Sequence, residues 1–187
     1  MPSPVAHILS GLAVYVAGTR PESRSRFVGG VTLLGSIVPD FDFLPGILIG
    51  DMGAFHHGIS HSLVFAALFG ALVFLVAARI DRTIAVRASL LSGIAYAVHV
   101  MLDFVGVYGN SRGVPLLWPL IDEKFGYALS LFGHFHWSDI RHGPGAIIRK
   151  ENVLPVIREI VVVGTVVVAL LARERNLKSI FSVAKNK

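Results

Sequence analysis

Apolar and polar positions along this chain of 187 residues fall into long blocks rather than a short alternation. Apolar blocks cover 5–18, 27–38, 62–78, 88–107 and 153–172. A membrane-spanning helix needs about 20 apolar residues, with about 17 as the lower limit. The last three blocks reach that limit, while the first two are short and predict a tight hairpin held against the others. The pattern predicts an all-α integral membrane bundle of four to five apolar helices, with a long irregular connection before the last. Residues 1–172 are expected to form one membrane-embedded domain, and 173–187 a basic cytoplasmic tail. The third and fourth blocks are expected to be the central pair, with Gly70, Ala71, Gly93 and Ala97 allowing close backbone approach. The first block has no basic run before it and carries His7 near its start, so it does not read as a signal peptide.

Composition sharpens this picture. Hydrophobic residues make up 53% and charged residues 16%, against about 25% charged in a typical soluble domain. Disorder is excluded by the apolar content. With no cysteine, disulfides, thiolate metal sites and a cysteine nucleophile are excluded too. The net charge is +5, from 17 Lys+Arg against 12 Asp+Glu. In a membrane protein such an excess reports topology and contact with anionic lipid. The basic residues concentrate in alternate connections: Arg20, Arg24 and Arg26; then Arg79, Arg82 and Arg87; then the tail from Arg173. Short basic connections favour the cytoplasm. The connection 39–61 holds Asp40, Asp42 and Asp51 with no Lys or Arg, and is expected on the opposite face with 108–152. No reading helix accompanies the basic loops, so no direct nucleic-acid partner is expected.

The candidate chemistry gathers at that opposite face. His7 opens the first block, Pro39-Asp40-Phe41-Asp42 closes the second, His56-His57-Gly58-Ile59-Ser60-His61-Ser62 opens the third, and His99 and Asp103 close the fourth. Each has a plain structural reading: a packed histidine, an aspartate turn, or Ser60 as a helix N-cap. Four such elements at one end are harder to dismiss, because ionisable groups at membrane depth are costly and tend to be functional. His99 and Asp103 are four apart and share a helix face. His57 and His61 have the same spacing, and Asp40 and Asp42 would face the same way in an extended segment. A sulfur-free His/carboxylate set suits Zn²⁺, Mn²⁺ or Fe²⁺, with zinc first. The expected metal ligands are His7, His56, His61, His99 and Asp103. Asp40 and Asp42 are expected to act as catalytic base or further ligand, or to orient a ligand histidine. A proton pathway would need polar groups at mid-membrane, whereas these sit at helix ends. In the long connection, His134, His136 and His142 flank Phe135 and Trp137, which reads as an interfacial segment or as a source of one more ligand. The stretch Val114-Pro115-Leu116-Leu117-Trp118-Pro119 cannot be a regular helix throughout, and reads as a cap over the site or an interfacial anchor.

Together, His7, Pro39-Asp40-x-Asp42, His56-x-Gly58-x-Ser60-His61-Ser62, His99-x-x-x-Asp103 and the Val114–Pro119 stretch resemble the YdjM-like family over about residues 1–120. Its members are multi-pass inner-membrane proteins described as metal-dependent hydrolases, some labelled LexA-binding. The family pattern His-Arg-Gly-x-Thr-His-Ser has His57 in place of arginine and Ser60 in place of threonine here, which removes a fork donor for phosphate. More distantly the chain is similar to zinc-dependent phospholipase C and single-strand nucleases. Their His-x-x-x-Asp helix matches His99 and Asp103, while their His-x-x-x-Glu element has no match. The resemblance implies an inner-membrane hydrolase with a divalent metal, acting on a phosphoester, expected to be lipid-linked. The alternative is a non-enzymatic, metal-stabilised membrane scaffold or regulator with a cytoplasmic protein partner.

Overall fold

The computed structural model describes residues 2–51, 53–106, 113–127, 132–133, 135 and 149–185, the last nine of these as backbone only. Local chemistry explains where each helix begins. Ser3 precedes α1 (Pro4–Gly18) and its Oγ accepts from Val5 N at 3.2 Å, while Pro4 occupies the first turn where no donor is lost. A 3-10 turn, Pro21–Ser23, leads to α2 (Arg26–Gly35). The chain then bends by 51° into a 3-10 helix, Val38–Phe43, and the short α3 (Leu44–Leu48). A second 3-10 turn, Ile59–His61, opens α4 (Leu63–Ile80). The N-cap is Ser62, whose Oγ accepts from Phe65 N at 3.4 Å. Ser60 is not the cap: its hydroxyl donates instead to Asp42 Oδ2 at 3.0 Å. Asp81 Oδ1 accepts from Thr83 N at 2.8 Å and starts α5 (Arg82–Gly106). The last helix, α6 (Lys150–Lys185), runs without a break through residues 172 and 173.

All named elements among the described residues are helical, and α4, α5 and residues 150–176 of α6 are each long and apolar enough to cross a membrane. The bent α2–α3 pair makes a fourth if it counts as one span. Helix α5 is the hub, packing on α4, α2 and α1, while α6 packs on α1. Its buried face reads Ala85, Ala88, Ser92, Tyr96, His99, Asp103 and Gly106, so one stripe supplies both packing and chemistry. At the α4–α5 seam, a methyl group on Gly70 would lie 3.1 Å from Ser89 O, and one on Gly93 would lie 3.3 Å from Ala66 O. These two glycines permit the close approach expected in a membrane interface. Ala71 faces outward instead. Leu68, Leu72, Leu75, Leu90, Val161 and Val168 are also exposed, as side chains facing hydrocarbon should be.

Residues 113–127 fold across the start of α4. Val114 and Phe125 form an antiparallel bridge, Leu63 N donates to Leu116 O at 3.1 Å, and the Trp118 ring lies 5.9 Å from that of Phe65. His134, His136 and His142 lie outside the described residues. At the other end of the bundle, Arg24 pairs with Glu174 at 2.6 Å, and Arg87 Nη1 donates to Ser23 O at 3.5 Å. The α1–α2 loop, the α4–α5 turn and the C-terminal part of α6 therefore meet at one basic end.

Candidate metal centre

Four ligand-type atoms from three elements meet at the opposite end. They are Asp40 Oδ1 from the Val38–Phe43 turn, His61 Nε2 from the turn before α4, and His99 Nε2 and Asp103 Oδ2 from α5. His99 Nε2 lies 3.1 Å from Asp103 Oδ2, 3.4 Å from His61 Nε2 and 3.5 Å from Asp40 Oδ1. His61 Nε2 lies 3.3 Å from Asp103 Oδ2 and 3.7 Å from Asp40 Oδ1. Ligand atoms held about 2.0–2.2 Å from a tetrahedral ion are about 3.3–3.6 Å from each other. The five distances straddle that range, and the four residues can hold a metal ion. The side chains of His61, His99 and Asp103 are 0–1% exposed, whereas Asp40 keeps 14% and stands at the mouth.

Hydrogen bonding behind the ring atoms fixes which nitrogen faces inward. His99 Nδ1 lies 2.8 Å from the Ser36 carbonyl oxygen, which can only accept, so Nδ1–H donates and the neutral ring turns a lone pair on Nε2 to the centre. Asp42 does the same for His61, with Oδ2 at 3.1 Å from Nδ1. Two imidazole lone pairs and two carboxylates then face one point. Such a set is repulsive until a cation enters, either as protons on the rings or as a metal ion. For His61, burial alone would favour the neutral ring, but the carboxylates of Asp103, Asp40 and Asp42 outweigh it and hold the imidazole well above its ordinary range. Asp103 is fully buried, and neither of its oxygens receives a hydrogen bond of normal geometry among the described residues. Buried carboxylates are rarely left so unless a cation is meant to meet them.

A second layer surrounds the four. Asp42 Oδ1 lies 2.9 Å from His56 Nδ1, so Asp42 ties His56, Ser60 and His61 together. Asp40 and Asp42 do not face the same way, because the segment is 3-10 rather than extended: Asp40 meets the inner nitrogens and Asp42 the outer ones. His57 and His61 do not share a helix face either. His57 adopts φ 59°, a left-handed conformation uncommon outside glycine, although histidine is among the residues enriched there. Its carbonyl accepts from Lys124 Nζ at 2.8 Å, which draws the 113–127 segment over the site. His57 Nε2 lies 3.8 Å from Asp103 Oδ2. His7 stacks on His99 with ring centroids 3.7 Å apart, and its Nε2 lies 3.6 Å from Asp103 Oδ1. Of the five residues expected as ligands, His61, His99 and Asp103 lie in the inner four, His7 lies against them, and His56 turns to Asp42. Asp40, expected as a base or ligand, completes the four.

Two contributors escape a reading of side-chain types, and a third does carry a signal. The Ser36 carbonyl is backbone and carries no sequence signal. Lys124 is distant in the chain. Glu159 had a signal, being a carboxylate inside an apolar block: it is fully buried and accepts from Ser3 N at 2.8 Å, and the Ser3 hydroxyl donates to its other oxygen.

Comparison with known proteins now adds identity. A family model for "YdjM inner membrane protein" matches residues 1–176. The chain belongs to that family. The match runs past the motifs, through the long connection and into α6. A curated relative, "Inner membrane protein YbcI" of Escherichia coli (strain K12), is 30% identical over 129 residues, covering 67% of this chain and 72% of the relative. No solved structure matches. The family and this relative are inner-membrane proteins, in keeping with the apolar helices, and the inner membrane is where this chain resides.

Proposed function

We propose that this chain is a metal-dependent hydrolase acting on a phosphoester of a membrane lipid, with Asp40, His61, His99 and Asp103 holding one zinc ion. The observation that carries the reading is the inward-facing pair of Nε2 atoms 3.4 Å apart, each fixed by an acceptor behind it. When bound, such an ion acidifies water and polarises a phosphoryl oxygen. The protein's own part is orientation and proton handling. Ser36 and Asp42 hold the two imidazoles in the ligating tautomer. Asp40, the partly exposed member, stands where water and substrate enter. Asp42, linked to His56 and Ser60, can pass a proton away from the mouth. A lipid substrate fits because the site lies at helix ends, level with headgroups, and because the segment carrying Asp40 and Asp42 exposes Phe41 between them and Leu44, Ile47 and Leu48 just after. The basic end opposite the site supports a cytoplasmic placement for that end and a non-cytoplasmic site.

One observation favours a second reading. Four protein ligands already complete a tetrahedron, as in structural zinc sites, whereas catalytic sites keep a position open. On that reading the ion stabilises a scaffold whose basic end meets a cytoplasmic protein. Purified zinc-loaded protein presented with inorganic phosphate separates the two: a hydrolase site exchanges a ligand for phosphate and changes its zinc absorption spectrum, and a closed site leaves that spectrum unchanged. Release of phosphate from phosphatidic acid vesicles by the zinc-loaded protein, absent in His99→Ala, completes the test.

A further inference from the structure

Helix α6 contributes no atom to the four ligands, yet it is tied to them through α1. Helix α6 packs on α1, and Val163 and Val167 are among its buried apolar side chains. Apolar packing is non-directional, so alone it leaves the two helices free to slide or rotate against each other. Polar contacts mark both ends of this pairing: Arg24 with Glu174 at the basic end, and Ser3 with Glu159 at the site end. The second is the unusual one. Glu159 is a carboxylate with no exposure just before the uncharged run 160–172 of α6, and it takes both the backbone N–H and the hydroxyl of the residue that caps α1. A carboxylate there also meets the positive end of the α1 dipole. One turn further on, His7 N donates to Ser3 O at 3.3 Å, and the His7 ring is the one stacked on His99.

We infer that Glu159 is a positioning residue for the metal centre: through Ser3 it fixes the height and rotation of α1, and so holds His7 against His99 and Asp103. This rests on the metal reading proposed above. His7 does not move alone, since it lies on a rigid helix whose first turn is anchored to α6. Loosening that anchor frees the ring that backs His99 and lies beside Asp103 Oδ1, and the inner ligands lose their fixed geometry. Supporting groups of this kind are worth about 10–100-fold in metal affinity.

The test uses the full chain in detergent micelles, titrated with Zn²⁺ against a competing chelator, with thermal unfolding followed on the same samples. Glu159→Ala is expected to weaken Zn²⁺ binding about tenfold and His7→Ala by a similar factor. The double variant is expected to be no weaker than His7→Ala alone, because both changes remove one chain of contacts. Glu159→Gln keeps an acceptor for Ser3 N and is expected to recover most of the affinity. If Glu159→Ala does not fold, Ser3→Ala replaces it in the same cycle. A merely structural glutamate would lower the unfolding temperature while leaving Zn²⁺ affinity at the wild-type value, or would give factors that multiply in the double variant; either result overturns the inference and leaves the metal centre standing. Failure of the wild type to bind Zn²⁺ at all removes the metal centre, and this coupling with it.

Discussion

The two ends of the bundle handle charge in opposite ways. At the basic end, arginines lie in short loops and in the helix turns beside them, and Arg24 and Glu174 meet at 2.6 Å with side chains still 27% and 18% exposed. Each group keeps water and needs little from the fold. At the other end, His7, His61, His99 and Asp103 are buried to 0–1%, and between Arg26 and Arg79 the chain supplies no lysine or arginine to balance the carboxylates. Water-accessible ion pairs of the first kind are worth about 0–1 kcal/mol. Burying a charged cluster of the second kind costs several kcal/mol per ion unless it is compensated. One end therefore costs the fold little, while the other carries a cost that a cation in the cluster would offset.

The contrast can be broken most directly inside the cluster. His99→Ala and Asp103→Ala are expected to abolish metal binding while the helical content stays unchanged, since the spans satisfy their own backbone hydrogen bonds; metal analysis and circular dichroism on the same samples check this. If the pair only locks helices together, both variants would instead lose stability with no change in metal content. Asp42→Asn leaves the four inner ligands in place and removes the charge behind His61. It is expected to weaken Zn²⁺ binding by about 10–100-fold, read by chelator competition.

The seam and the basic end supply the contrast's other side. Gly93→Leu forces a side chain against Ala66 O and is expected to cost about 1–3 kcal/mol of stability, with Zn²⁺ affinity of the folded protein unchanged. Arg24→Ala is expected to cost less than about 1 kcal/mol and to leave metal affinity alone. A large loss of affinity from Arg24→Ala would mean that the two ends are not separate. Proton linkage sharpens the comparison further. The carboxylates around His61 raise its affinity for a proton in the metal-free protein, so its contribution to apo stability is present at low pH and lost as pH rises through that raised value. Bound metal replaces the proton. The rise in unfolding temperature caused by Zn²⁺ is thus expected to widen from pH 6 to pH 8, with protons released on binding.

Much of this was legible in the sequence where a residue's role depends on its own element. The block 62–78 forms α4 with Ser62 as its N-cap, and 153–172 lies within α6, because a long uninterrupted apolar run has few alternatives in a membrane protein. Helix α5 begins six residues before its apolar block, with Asp81 capping a first turn that holds Arg82 and the β-branched Thr83 and Ile84. The i, i+4 spacing placed His99 and Asp103 on one helix face, and both lie on the buried face of α5. What could not be read depends on how elements meet. His56 and Asp40 differ in placement because one lies in a loop held by the left-handed His57 and the Lys124 contact, and the other on a 3-10 turn after a 51° bend. Neither bend nor loop carries a periodic signal, so loop histidines and aspartates could be grouped from sequence but not assigned to inner or outer positions.

The metal centre stands or falls on Asp40, His61, His99 and Asp103 sharing one ion. X-ray absorption spectroscopy at the zinc edge, on the full chain purified with Zn²⁺ and freed of excess metal, tests it most directly. One zinc per chain is expected, with nitrogen and oxygen neighbours only, at about 2.0–2.2 Å, and with an imidazole scattering signature that diminishes in His99→Ala if any metal is retained. A chain that carries no zinc after such loading, or a zinc signature that is the same in wild type, His99→Ala and Asp103→Ala, would contradict it.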